Sequence, residues 1–204
     1  NWYERIFKKK KEVYDFASPI KKKYLISIGR LTKQKNFELL INFFHKLLDK
    51  YSIFELVIIG EGEDELKLKK LTRKLEIDKK IHFLGYQKNI YKYLKNAECF
   101  ILTSLWEDPG FVLIEAAFCN LFIISSDCKN GPKEILLNGK GGILFKKNKK
   151  NELSDSLNSF DNLSVDKKYL MRLNSKKNCI KYSLLRHHNS LKKILYFNEK
   201  YWNH

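Results

Sequence analysis

Six short apolar runs, each followed by a helical or turn pattern, order this chain from residue 24 onward. Tyr24 to Gly29, Phe54 to Ile59, Ile81 to Gly85, Cys99 to Ser104, Leu121 to Ser125 and Ile143 to Phe145 have strand length. Helical patterns separate them at Phe37 to Leu48, about Glu63 to Leu75, Asn89 to Lys95 and Phe111 to Cys119, with a further turn opened by Pro132 and a flexible Asn138 to Gly142 turn before the sixth run. Strands alternating with helices six times predict a doubly wound parallel six-stranded α/β sheet, whose ligands bind at the C-terminal ends of the strands. From Asn151 the pattern is helical to the end, with Leu153, Leu157 and Phe160 on one face and Leu184, Leu185, Leu191, Ile194 and Leu195 later. Residues 1–23 read as a linker or short helix leading into the domain, 24–160 as the domain, and 161–204 as a helical tail packed on it.

The chemistry concentrates in Glu107-Asp108-Pro109-Gly110-Phe111-Val112-Leu113-Ile114-Glu115. A buried strand precedes it and an unbroken apolar helix follows. Gly110 lets the backbone approach a ligand, and the amides of Gly110, Phe111 and Val112 are free at a helix N-terminus of partial positive charge, which is an anion site. Glu107 stands at the strand's mouth and Glu115 about one turn into the helix, roughly 6–10 Å further along. A carboxylate facing a vicinal diol accepts two hydrogen bonds from it, which makes Glu115 the candidate for a ribose and Glu107 the candidate for the group beyond the phosphates. An acid-capped helix with Glu115 on a wet face is the plainer alternative, and the Pro-Gly-Phe turn after a strand favours the site. After the first strand, Arg30 and Lys35 emerge at the same edge, two cations suited to a diphosphate, or else solubilising loop residues.

The run EDPGFVLIEA resembles the Glu-x7-Glu signature of retaining glycosyltransferases of family 4, and Gly29-Arg30 to Lys35 resembles their G-R-x-x-x-x-K element. The resemblance spans about residues 24–160 and the tail weakly. It implies a Rossmann-like domain forming the C-terminal, donor-binding half of a GT-B fold, in which Arg30 and Lys35 grip the donor diphosphate. It also implies that Gly85, Tyr86 and Gln87 form the base-side wall and that the Gly60-Glu61-Gly62 loop lines the nucleotide pocket, although residues alone read that loop as an acid-capped turn. Asn130-Gly131-Pro132-Lys133-Glu134 departs from the family's glycine pair, so Glu134 is assigned a structural role. The implied reaction is metal-independent transfer, with retention, of a hexose or derivative from a nucleotide-diphosphate sugar, expected to be a UDP-sugar. The acceptor is a glycan or lipid-linked sugar of surface polysaccharide or lipopolysaccharide synthesis. No cofactor is expected beyond the donor. A second, acceptor-binding N-terminal domain is expected as the partner, with Tyr201 and Trp202 either anchoring it or serving as core.

Composition adds limits. A length of 204 residues with 44% apolar content supports one ordinary core. No run of 18 or more apolar residues and no signal-peptide pattern occurs, so a soluble cytoplasmic protein is expected. Cys99, Cys119, Cys128 and Cys179 have no metal or disulfide spacing and suit buried thiols, and the five His have no ligand spacing. The net charge of +17 lies in the flanks: +5 over residues 1–23 and +9 over 146–204, against +3 between them. Those flanks suit either Lys-rich solvated surface or peripheral contact with anionic headgroups at the inner membrane's cytoplasmic face, where each basic residue contributes about 1 kcal/mol. Two other classes stay open. One is a non-catalytic nucleotide-sugar-binding module. The other is a basic nucleic-acid-binding protein, disfavoured because the near-neutral middle carries no stacking or groove-reading motif.

Overall fold

A computed structural model describes residues 20–50, 52–146 and 152–183. One parallel sheet contains β1 (Tyr24–Ile28), β2 (Glu55–Ile59), β3 (Ile81–Phe83), β4 (Cys99–Leu102), β5 (Ile123–Ser126) and β6 (Ile143–Phe145), in the order β3-β2-β1-β4-β5-β6. The helices are α1 (Phe37–Leu48), α2 (Glu65–Lys74), α3 (Tyr91–Leu94), α4 (Phe111–Phe118), α5 (Pro132–Ile135), α6 (Glu152–Asn162) and α7 (Val165–Cys179). Short 3-10 turns link several of them.

Every residue of β1, β2, β4 and β5 is buried, because helices cover both faces of the sheet. Leu25, Leu56, Ile58, Ile101 and Ile124 face one layer, packing with Leu40 and Phe44 of α1, Leu68 of α2 and Leu153 of α6. Tyr24, Ile26, Val57, Phe100 and Ile123 face the other, with Leu94 of α3, Leu113 and Ala117 of α4, Ile135 of α5 and Cys179 of α7. Phe37, Leu40, Ile41 and Phe44 recur at helical spacing and are all buried, so α1 is held by its apolar stripe, each such side chain contributing about 1.5–3 kcal/mol.

Some boundaries differ from those the sequence predicts. β4 stops at Leu102, and the Thr103 hydroxyl that follows donates to the carbonyls of Lys35 and Asn36, at 3.0 and 3.1 Å, in the loop after β1. β3 stops at Phe83, two residues before Gly85 takes φ +62°. The tail is not one continuous helix. It breaks at Leu163-Ser164, where the Ser164 hydroxyl accepts from the Lys167 amide and caps α7. The turn before β6 opens with a 3-10 segment, Leu137–Gly139. Tyr201, Trp202, the leucines from 184 onward and most of residues 1–23 lie outside the described residues.

Two polar clusters lie outside the Glu107–Glu115 turn. Glu134 is exposed and joins α5 to the turn after α7 by accepting from Tyr182 Oη at 2.7 Å and Lys181 Nζ at 2.9 Å. Glu55, at the start of β2 and buried, accepts from His82 Nε2 at 2.6 Å and pairs with Lys22 Nζ at 2.9 Å. Burial pushes the Glu55 carboxyl up, but the Lys22 and His82 bonds outweigh it and leave it below the ordinary value. None of the four cysteines is in a disulfide; Cys99, Cys128 and Cys179 are buried, and Cys119 is partly so. No helix among the described residues is long and apolar enough to cross a membrane.

Candidate functional site

The strand order places β1 and β4 side by side while their following segments depart to opposite faces, the arrangement that opens a crevice at the strands' C-terminal ends. Arg30 and Lys35 follow β1; Glu107 follows β4. Lys35 Nζ reaches Glu107 Oε1 at 2.6 Å, so an ion pair between residues 72 positions apart bridges the crevice. Glu107 is 3% exposed, and the same Oε1 accepts from Ser104 Oγ at 2.5 Å. Backbone bonds stitch the two loops together. The Leu105 amide donates to the Gln34 carbonyl at 2.8 Å, and Gln34 Nε2 donates to the Trp106 carbonyl at 2.9 Å. On the far side the Glu107 amide donates to the Lys129 carbonyl at 3.1 Å.

Helix α4 begins directly behind this pair. Gly110 sits at φ +79°, ψ +46°, the left-handed conformation that a side chain disfavours, and no side chain caps the helix. The amides of Gly110, Phe111 and Val112 have no acceptor among the described residues, so the N-terminus keeps its donors and partial positive charge. Gly131 seals the turn from beneath: a Cβ there would lie 2.3 Å from the Pro109 carbonyl oxygen. Glu115, one turn into α4, is half-buried, and its carboxyl group has no hydrogen-bond or ionic partner among the described residues. Burial raises its carboxyl to about 7. An acid capable of accepting two hydrogen bonds thus stands unpaired beside an uncapped helix N-terminus.

The remaining predicted residues are spread around that centre. Arg30 is exposed, and its guanidinium has no partner among the described residues. Tyr86 is 74% exposed, and its amide donates to Glu61 Oε1 at 3.0 Å. Gly85 lies alongside, its carbonyl accepting from the Gly60 amide at 2.9 Å. Gln87 is turned inward, with Nε2 on the Leu84 carbonyl at 2.7 Å and Oε1 accepting from Tyr93 Oη at 3.3 Å. Of the acids around the β2–α2 loop, Glu65 stands in the first turn of α2. Asp64 makes no side-chain cap bond, and Glu61 crosses to the β3 loop. Sequence reasoning also missed Ser104, Thr103 and Gln34. Ser104 and Thr103 read as the end of an apolar strand, and their position beside a two-residue acidic turn was the available signal. No group of three or more His, Cys, Asp or Glu among the described residues could hold a metal.

A six-stranded parallel sheet with helices on both faces and a crevice at its switch point is the Rossmann-like α/β architecture found in GT-B glycosyltransferases. The family model "Glycosyl transferases group 1" matches residues 8–182, and the chain belongs to that family. It is 47% identical over 111 residues, 54% of this chain and 27% of its relative, to an uncharacterized glycosyltransferase, MJ1059, of Methanocaldococcus jannaschii. Over 138 residues, 68% of this chain and 37% of its relative, it is 33% identical to a Campylobacter jejuni enzyme, N-acetylgalactosamine-N,N'-diacetylbacillosaminyl-diphospho-undecaprenol 4-alpha-N-acetylgalactosaminyltransferase. Among solved structures, a TarM mutant of S. aureus in complex with Fondaparinux, alpha-GlcNAc-glycerol and UDP superposes with a TM-score of 0.75 at 24% identity, covering 88% of this chain and 36% of that one. That likeness shows the fold. The chain spans 27% and 37% of the length of the two curated relatives named.

Proposed function

We propose that this chain is the donor-binding half of a retaining hexosyltransferase. It takes a UDP-sugar and serves transfer to a glycan or lipid-linked acceptor in surface polysaccharide or lipopolysaccharide synthesis. The observation that carries this reading is the meeting of Lys35 and Glu107 across the crevice in front of α4, with Glu115 unpaired behind. The diphosphate lies on the amides of Gly110, Phe111 and Val112, with Arg30 and Lys35 as its cations. Glu115 accepts from the ribose hydroxyls, Glu107 from a hydroxyl of the donor sugar, and Gly85 to Gln87 wall the base. As the glycosidic bond breaks, negative charge grows on the leaving diphosphate. Two cations and a helix N-terminus fixed in advance stabilise that charge more than they stabilise the ground state. No metal is required for that electrostatic work.

Within this reading residues 24–160 form the nucleotide-sugar domain, 161–204 the packed tail and 1–23 the connection to an acceptor-binding N-terminal domain. The UDP in the TarM complex and the sugar-transfer activity named for the Campylobacter relative support the donor class. The basic flanks provide peripheral contact with anionic lipid at the cytoplasmic face of the inner membrane, where a lipid-linked acceptor would be met. Calorimetric titration with UDP and GDP tests the site. UDP binding that survives in wild type and is lost in the Arg30→Ala, Lys35→Ala double variant supports it. Binding unchanged in that variant, or a preference for GDP, sinks the assignment.

A further inference from the structure

We propose that Ser104 is a positioning residue for Glu107, holding that carboxylate on the donor sugar when Lys35 is drawn to the diphosphate. The inference rests on the donor-site reading above. Glu107 Oε1 has two donors, Lys35 Nζ at 2.6 Å and Ser104 Oγ at 2.5 Å. The two are not equivalent. Lys35 is a cation at the mouth of the crevice with a side chain 14% exposed, and an incoming diphosphate competes for it directly. Ser104 is neutral and 0% exposed, and its single hydroxyl proton is already committed to Glu107.

The serine is itself anchored. Ser126 Oγ, in β5, donates to the Ser104 carbonyl at 2.6 Å, and Ser126 is also 0% exposed. The backbone that carries Ser104 is thereby tied to a central strand and cannot follow Lys35. Glu107 is held from its other side by its own amide, which donates to the Lys129 carbonyl. With Oε1 fixed by Ser104, Oε2 is the oxygen left to accept. It faces Gly110, where a Cβ would come within 3.6 Å of it and where the missing side chain leaves room for a ligand atom. The carboxylate is thereby held in one orientation, with Oε2 turned to accept from a hydroxyl or amide N–H of the sugar. Without the serine, a diphosphate that takes Lys35 would leave a buried carboxylate with no fixed donor, free to turn after the cation.

The test separates sugar recognition from nucleotide recognition. Affinities for UDP and for a panel of UDP-glucose, UDP-galactose, UDP-GlcNAc and UDP-GalNAc are measured on the 204-residue chain for wild type, Ser104→Ala and Ser104→Cys, with thermal melts to establish folding. Wild type is expected to bind one or more UDP-sugars about tenfold or more tighter than UDP. Ser104→Ala is expected to keep UDP affinity within threefold while that ratio falls to near one; Ser104→Cys, with a weak donor of similar size, falls between. A ratio that survives in Ser104→Ala overturns the inference, as does equal loss of UDP and UDP-sugar in a folded variant. Wild type that binds UDP and every UDP-sugar alike overturns it too, by removing the role given to Glu107. Wild type that binds neither UDP nor UDP-sugar brings down the donor-site reading and this inference together, an outcome distinct from the others.

Discussion

The two ends of the sheet handle buried acids in opposite ways. At the start of β2, Glu55 is 5% exposed and saturated, with Lys22 and His82 on its two oxygens. At the C-terminal edge, Glu107 shares one oxygen between Lys35 and Ser104, and the Glu115 carboxyl group has no partner among the described residues. Their ionisation follows: the bonds to Lys22 and His82 outweigh the effect of burial and bring Glu55 below its ordinary value, whereas burial alone raises Glu115 to about 7. A paired buried acid supports the fold. An unpaired one costs stability and retains the capacity to bind, which is why such groups concentrate where ligands are received.

The contrast breaks first, and hardest, if the cations are removed. The Arg30→Ala, Lys35→Ala variant is expected to lose about 100-fold or more in UDP affinity by calorimetry, since two charge-assisted contacts go and Glu107 is left to repel the diphosphate. Glu115→Ala is expected to lose about 10- to 100-fold, the size of one hydrogen bond to a charged group. The conservative Glu115→Gln should weaken UDP yet stabilise the free protein at pH 8, by on the order of 2 kcal/mol in denaturant melts.

Linkage gives the two acids opposite signs. Glu115 has a folded value raised above its unfolded one, so its native state binds more protons. The stability it retains below about pH 4.5 is lost as pH rises through 7. The advantage of Glu115→Gln should accordingly shrink toward nothing near pH 4.5. For ligand binding the sign is reversed, because the ribose hydroxyls need the ionised acid. UDP affinity should fall about tenfold more from pH 8 to pH 6 in wild type than in Glu115→Gln, with the pyrophosphate's own titration common to both. Identical pH profiles would remove Glu115 from the site.

Glu55→Ala sharpens the comparison from the other end and has the smallest effect. It should leave UDP affinity within about twofold. It should destabilise the fold by about 1–2 kcal/mol at neutral pH, the lower part of the range for charged hydrogen bonds because Lys22 is exposed. Its folded value is depressed, so that contribution is present above about pH 4.5 and should fade in acid melts as pH falls through the folded value.

What the sequence made legible follows the range of the forces involved. The apolar stripe from Phe37 to Leu48 set α1 at its observed bounds, and the Ile143 to Phe145 run set β6, because local periodicity and turn residues decide both. The alternation of elements gave the parallel sheet. Glu107, Gly110 and Glu115 were readable as a strand-turn-helix group within nine residues. The bond from Lys35 to Glu107 was not, since it spans 72 positions and depends on β1 and β4 becoming neighbours. Ser104 and Thr103 were hidden for a related reason. Small polar residues at the end of an apolar run extend the strand pattern, and only the fold shows that their hydroxyls leave it to hold Glu107 and the Lys35 loop. Glu61, read only as part of a tight Gly60-Glu61-Gly62 turn, is carried by tertiary geometry to the Tyr86 amide.

The central claim is that the β1–β4 crevice receives a nucleoside diphosphate between Lys35 and Glu115. A crystal structure of the chain with UDP tests it most directly. The account predicts phosphate oxygens within hydrogen-bond distance of Lys35 Nζ and of the Gly110 to Val112 amides, with both ribose hydroxyls on the Glu115 carboxylate. A nucleotide seated elsewhere, or one in the crevice with Glu115 untouched and Lys35 still paired only to Glu107, would contradict it.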